Sequence, residues 1–340
     1  MRSERIDNYR KIEEIRGTRL IVYVTGDRPG METQIHPEVL EYFVNHLDPL
    51  GKVEKISLLL YTRGGNTLAA WSLVNLIRQF CKEFEVIIPS KAQSSGTLIS
   101  IGANKVVMTK QATLGPIDPS LNGPLNPQNP QIPQNPMARI PVSVESIKGY
   151  FALAEEDLKI GNEKELTQIL LSLSEKVHPL VLGDVYRSRT QIQMLARKLL
   201  AKQIDNKDRI EEIISFLTSD SGSHDYTIYR NEAKHELGLN IEKPDDEFYS
   251  ILKQTFDDIR TELELLNPFD PNLILGANQS AQYSCRRVLI ESSHGGTDVF
   301  VSEGQFIRQQ QQIPQPPPLP PMQRTIIDDH RSFEGWRHED

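Results

Sequence analysis

Two adjacent serines, Ser94 and Ser95, stand in "KAQSSGTLIS" (residues 91–100), among small side chains and just ahead of an apolar run. Either could cap a helix by accepting a backbone N–H with its hydroxyl. The same place suits a nucleophile. A helix start offers free N–H groups and the positive end of the helix dipole, both of which favour developing negative charge. Ala92, Gly96 and Thr97 would leave room for a substrate. Gly64 and Gly65, in "LLLYTRGGN", suit a tight turn. They would equally let a substrate carbonyl approach a backbone N–H, as an oxyanion hole requires.

A serine nucleophile needs a base. Asp118 lies in "LGPIDPS", where the prolines restrict its backbone. A turn-forming aspartate is its ordinary role. His224 stands beside Asp225 in "SGSHDYTI". A single histidine there is an idle surface residue unless something else engages it. No residue of this set is diagnostic alone, so the weight falls on their joint order along one chain.

The elements that would position them alternate. "RLIVYVTG" (19–26), "KISLLLYTRGGN" (55–66), "FEVIIPS" (84–90) and "NKVVMT" (104–109) read as buried strands. Helical spacing marks residues 37–47, 68–80 and a segment beginning near Ser94. The alternation predicts an α/β fold, with a mainly parallel sheet and flanking helices. Prolines recur through residues 116–141, an irregular excursion that starts beside Asp118 and is expected to act as a lid over the cleft. Long helices are expected over 143–217, interrupted near "SEKVHPLVLG", and another over 246–266. Residues 226–241 read as a short strand or turn, a helix and an exit, and residues 285–304 as a hairpin. From Gln309 the chain runs "QQQQIPQPPPLPP", which predicts a solvated polyproline segment. Phe333 and Trp336 behind it suit a docking peptide for a regulatory partner.

Composition bounds the rest. The chain has 340 residues, 38% hydrophobic and 25% charged, with a net charge of −8 and no basic face for nucleic acid. Its two cysteines, Cys81 and Cys285, lack the spacing of a disulfide framework or a metal site, so no metal is expected. The first residues, "MRSERIDNYRKIEEIRG", contain no apolar signal core, and no apolar run reaches membrane-spanning length. A cytoplasmic location without a membrane span is the expectation. No GxxxxGK[ST] loop occurs, and no cofactor is expected.

Taken together, "LLLYTRGGN", "QSSGTLISIGANKVVM", "LGPIDPS" and "HDYTI…NEAKHELGLNI" resemble the serine dehydrogenase proteinase family. That family is related to the Clp protease proteolytic subunit and to signal peptide peptidase A. The resemblance extends over roughly residues 17–300. It implies a Clp protease/crotonase-like fold, a polypeptide substrate and a homo-oligomer. Residues 17–304 would form the peptidase domain, after a lead-in over 1–16 and before a tail over 305–340. In the Clp pattern the nucleophile precedes a small residue and glycine, which selects Ser94. The N–H groups of Gly65, Gly64 and Ser95 would then hold the oxyanion. Asp118 occupies the place of the Clp histidine, and the resemblance implies a reordered triad of Ser94, Asp118 and His224. A triad is defined by geometry and role, and chain order is free to vary.

Two other readings stand beside this one. Signal peptide peptidase A uses a Ser–Lys dyad, for which Lys148 in "VESIKGYFALAEE" is the matching lysine. Such a lysine must be desolvated to act as a base. The crotonase likeness also allows a scaffold that binds a carbonyl and performs no nucleophilic step.

Overall fold

The apolar runs of the amino-terminal half form strands buried on both faces. The computed structural model describes residues 2–117, 120–220, 223, 225–313 and 322–339. Its strands in chain order are β1 (Arg19–Thr25), β2 (Val53–Tyr61), β3 (Cys81–Ile88), β4 (Lys91–Ala92), β5 (Lys105–Met108) and β6 (Thr113–Leu114). They continue as β7 (Ser120–Leu121), β8 (Val142–Ser143), β9 (Ile228–Tyr229), β10 (Ile241–Glu242), β11 (Ser280–Ser292), β12 (Gly296–Ile313) and β13 (Met322–Glu339).

The main sheet has the order β10-β5-β3-β2-β1-β11-β12-β13. From β10 to β1 every pairing is parallel, and from β1 to β13 every pairing is antiparallel. The fold is therefore mixed α/β with a parallel core, as the alternation predicted. A small sheet, β4-β6-β9, stands apart from it and becomes important below. β7 and β8 pair at the two ends of the proline-rich excursion.

The helices are α1 (Arg2–Arg16), α2 (Val39–Leu47), α3 (Thr67–Phe80), α4 (Ser95–Ile101), α5 (Val144–Ala152) and α6 (Glu163–Lys176). After them come α7 (Pro179–Leu200), α8 (Lys207–Ser215), α9 (Arg230–His235), α10 (Asp246–Glu262) and α11 (Pro271–Leu275). Strand periodicity divides them into two layers. Ile21 and Tyr23 of β1 and Leu58 and Leu60 of β2 pack with α2, α3, α4, α7 and α8, whose contributions include Phe43, Leu73, Ile99, Leu199 and Ile213. Leu20, Val22, Val24 and Leu59 face the opposite layer, where α1 and α10 supply Tyr9, Ile12, Leu252 and Phe256.

Both ends of the chain pack onto the main sheet and its helices, the carboxy-terminal one against the sequence-based expectation. The lead-in is a helix anchored by Arg5, which pairs with Glu291, Asp258 and Glu262. The solvated tail expected from Gln309 is, over residues 322–339, a strand paired with β12 along its length. Side-chain contacts explain the docking: Arg337 binds Glu303 of β12, and Trp336 stacks on Tyr42 of α2 with ring centroids 4.2 Å apart. Trp336 thus docks within its own chain, and "PQPPPLPP" (314–321) lies outside the described residues. Among the described residues no helix is long and apolar enough to cross a membrane.

Candidate active site

β4 ends at Ala92 and α4 begins at Ser95, so Ser94 occupies the turn into the helix. Its backbone lies at φ 52°, ψ −115°, outside the regions that L residues ordinarily adopt. A residue held there costs about 1–3 kcal/mol, which the surrounding packing must offset. The position is that of an N-cap, yet the Ser94 side chain makes no capping hydrogen bond. Capping therefore does not explain this serine. Ser95 is different: it is 3% exposed, and its hydroxyl donates to the carbonyl oxygen of Gly65 at 2.7 Å. Of the pair, Ser94 is half-buried and its hydroxyl has no partner among the described residues, and Ser95 is enclosed and engaged.

The two glycines pack against this turn. Gly64 and Gly65 have φ values of 108° and 144°, and both positions exclude a side chain. A Cβ on Gly64 would fall 2.7 Å from Ser94 Cβ and 3.2 Å from its Oγ, while one on Gly65 would collide with the backbone of Ile35. The Gly64 N–H donates to Thr62 Oγ1 at 3.0 Å, and Thr25 donates to the same oxygen at 2.7 Å. Ile35 donates its N–H to Gly64 O and accepts the N–H of Asn66, both at 2.8 Å. Among the described residues neither the Gly65 N–H nor the Ser95 N–H has an acceptor. One belongs to the residue after Ser94, and the other to the residue after the glycine that touches it.

Asp118 and His224 lie outside the described residues. Strands β6 and β9 precede the first and follow the second by a few residues. In the small sheet β4 runs parallel to β6, and β9 runs antiparallel to β6. Ala92, Leu114 and Ile228 align across it. The chain leaves β4 toward Ser94 and β6 toward Asp118, and it enters β9 from the direction of His224, all at one end of the sheet. Beyond that end, the Ile117 N–H donates to Leu217 O at 2.8 Å.

Lys148 is half-buried on α5, and its ammonium donates to Ser219 Oγ at 2.6 Å. Arg189 donates to the same hydroxyl at 3.3 Å. A cavity of about 670 Å³ opens beside Gly65 and Asn66, with Ile35, Arg287, Phe300 and Glu334 in its wall. A second, of about 770 Å³, lies between residues 122–126 of the proline-rich excursion and α7. Ser94 lines neither. Among the described residues no group of three or more His, Cys, Asp or Glu is gathered as a metal site.

Thr62, Ile35 and Thr97 all brace the turn or the glycine loop, and none carries a signal in the sequence. Thr62 acts through its hydroxyl on Gly64, Thr97 through its hydroxyl on Gly115, and Ile35 through its backbone alone.

This arrangement occupies the part of the chain with a known counterpart. Residues 48–148 match the ClpP-like SDH-type serine proteinases. The resemblance read from the motifs is met over that stretch, which includes Gly64, Gly65, Ser94, Ser95, Asp118 and Lys148 and ends before His224. MJ0137, an uncharacterized protein of Methanocaldococcus jannaschii, is 30% identical over 203 residues, 59% of each chain. MJ1495, an uncharacterized protein of the same organism, is 28% identical over 244 residues, 70% of this chain and 71% of its own. The chain thus spans 59% and 71% of the lengths of these two curated relatives.

Among solved structures, two variants of the 1510-N membrane-bound stomatin-specific protease align with 67% of this chain at a TM-score of 0.38. They are 14% and 15% identical to it over 82% and 77% of their own lengths. ClpP1 of Listeria monocytogenes aligns with 70% of this chain and 99% of its own at 14% identity and a TM-score of 0.36.

Proposed function

We propose that the protein is a serine peptidase acting through an acyl-enzyme on Ser94. The observation that carries this reading is the Ser94 turn itself. Among the described residues, a serine at positive φ with its hydroxyl uncommitted abuts a glycine loop and stands beside two backbone N–H groups that have no acceptor. A strained strand–turn–helix junction presents a nucleophile in this way.

Ser94 Oγ attacks the peptide carbonyl as His224 takes its proton. The tetrahedral oxyanion accepts hydrogen bonds from Gly65 and Ser95, since the Gly64 N–H is already spent on Thr62. His224 returns the proton to the leaving amine, and water repeats the sequence to free Ser94. Asp118 orients the imidazole and stabilises its charged form. The small sheet supports this triad. Ser94 follows Ala92 by two residues, Asp118 follows Leu114 by four, and His224 precedes Ile228 by four. Four residues reach at most roughly 14 Å.

A Ser–Lys dyad is the second reading. It is favoured by the partly enclosed Lys148 ammonium and by its inclusion in the matched stretch. Homo-oligomerisation belongs to the same proposal. It is supported by α6, which buries none of its residues while exposing Leu170 and Leu171. Light scattering tests the assembly.

The chemistry is tested by intact-mass labelling with a fluorophosphonate on wild type, Ser94→Ala, His224→Ala and Lys148→Ala. Labelling lost at Ser94 and His224 but kept at Lys148 supports the triad. Labelling lost at Ser94 and Lys148 but kept at His224 moves the base to lysine. A folded wild type that does not label overturns the peptidase reading.

A further inference from the structure

Thr97 stands three residues beyond Ser94, in the first turn of α4, and is fully buried. Its hydroxyl closes a knot between two strands of the small sheet. It lies within donating distance of Ala92 O, at 2.9 Å, and of Gly115 O, at 2.7 Å. It also accepts the Gly115 N–H at 3.0 Å. Ala92 is the last residue of β4, and Gly115 is the first residue beyond β6.

The direct pairing between these strands is short, although Thr62 also holds the β4 exit by accepting the Gln93 N–H at 3.1 Å. β4 and β6 are two residues each, with two aligned pairs between them. Past their ends one strand leads into the Ser94 turn and the other to Pro116 and Ile117. Both polar groups of Gly115 terminate on the one threonine hydroxyl, so the two exits are tied to the helix that carries the nucleophile. Contact between the exits is close: a Cβ on Gly115 would sit 3.4 Å from Gln93 Cβ, next to Ser94. Ile117 then passes the constraint on through its 2.8 Å bond to Leu217. Two residues further, Ser219 accepts the Lys148 ammonium. A displacement of Gly115 is therefore felt on both segments that offer a base.

We infer that Thr97 is a positioning residue for the hydrolytic site, fixing the distance between the Ser94 turn and the loop that leaves β6. The inference rests on Ser94 being the nucleophile, and it holds for either base. A hydroxyl is required and the γ-methyl is not, so serine should substitute for threonine and the nearly isosteric valine should not. Valine removes the donor and leaves the N–H and C=O of Gly115 buried without partners.

The test compares Thr97→Val and Thr97→Ser with Thr109→Val, a matched loss of a buried hydroxyl. Thr109 is also fully buried and donates to Pro89 O at 2.8 Å, outside the Ser94 turn. The readouts are the fluorophosphonate labelling rate at Ser94, Tm, and amide exchange over residues 113–117. The expected result is a labelling rate at least about tenfold lower in Thr97→Val, since small misplacements of reacting groups carry large rate costs. Thr97→Ser should stay within about threefold of wild type, and Thr109→Val should lose Tm without losing labelling. Exchange over 113–117 should accelerate in Thr97→Val alone. Equal labelling of Thr97→Val and Thr109→Val, well below both melting temperatures, overturns the assignment. So does failure of serine to restore the rate. A folded wild type that does not label defeats the peptidase reading itself, and the positioning role with it. Labelling of wild type together with undiminished labelling of Thr97→Val defeats the Thr97 role alone.

Discussion

The Ser95 hydroxyl donates a 2.7 Å hydrogen bond to the carbonyl oxygen of Gly65. Through it the start of α4 is fastened to the glycine loop, and the N–H groups of Ser95 and Gly65 are held in fixed relation. Ser95→Ala keeps both N–H groups and releases the fastening. It should slow fluorophosphonate labelling by about tenfold and lower stability by about 1 kcal/mol, the usual worth of one such bond. Ser94→Ala, by contrast, should abolish labelling at nearly unchanged Tm. Labelling kinetics and thermal denaturation on the two variants separate the nucleophile from its neighbour.

Gly64→Ala should be more damaging than Ser95→Ala. Alanine is strained at φ 108°, and its methyl would fall 2.7 Å from Ser94 Cβ. The loop or the serine must shift, and either displaces the Gly65 N–H from the place where an oxyanion would form. Loss of one such donor typically lowers the rate by roughly a hundredfold or more. A steady-state assay on a small ester should show the fall mainly in kcat. A fall confined to KM would mean that the glycine loop serves binding alone.

The parallel core was legible because its strands are buried on both faces, so "LIVYV" and "LLLY" read as unbroken apolar runs. The Ser94 turn was legible for a related reason: small residues suit a turn between a strand and a helix that close on each other, and "SSGT" supplies them. What the spelling left open was which serine is free. That is decided by Ser95 bonding to Gly65, thirty residues earlier in the chain. The Thr97–Gly115 knot and the Ile35–Gly64 pairing were hidden in the same way, since ordinary residue types meet there by long-range register. β13 was illegible for another reason. Its charges and its polyproline approach read as a tail, and only Glu303, Tyr42 and the edge of β12 make it a strand.

The anchoring of α1 gives a prediction about pH. Burial pushes the Glu291 carboxyl up, but Arg5 beside it and the hydroxyls of Thr297 and Tyr9 outweigh that and hold it below its ordinary value of 4.5. A carboxyl depressed on folding contributes stability that is present above its unfolded pKa and lost as pH falls through the folded one. Acidification from about pH 5 downward should therefore loosen α1. Arg5→Leu would take the Arg5 guanidinium away from the buried Glu291 charge and cost about 3 kcal/mol at neutral pH. Its Tm should also depend less on pH below 5 than that of wild type, because the Arg5 contribution that holds the Glu291 carboxyl down is gone. Denaturation of both proteins across that range checks the sign. A steeper acid dependence in the variant would contradict it.

Whether β13 is a working part of the sheet or a separable appendage turns on Trp336. Its ring stacks on Tyr42 of α2 and meets Phe300 of β12 edge-on at 5.7 Å. His338 lies 3.0 Å from Asp298 in the same region. Glu334, two residues before the tryptophan, lines the cavity beside Gly65, so the strand borders the candidate site. Trp336→Ala removes two aromatic contacts and part of a hydrophobic layer. It should destabilise the whole protein by about 2 kcal/mol, each aromatic pair being worth about 1 kcal/mol beyond its burial. Hydrogen exchange in β12 and α2 should quicken together with that of β13. If exchange quickened over 322–339 alone, with Tm unchanged, the strand would be a locally detachable element, and its place beside the Gly65 cavity would be that of a removable wall.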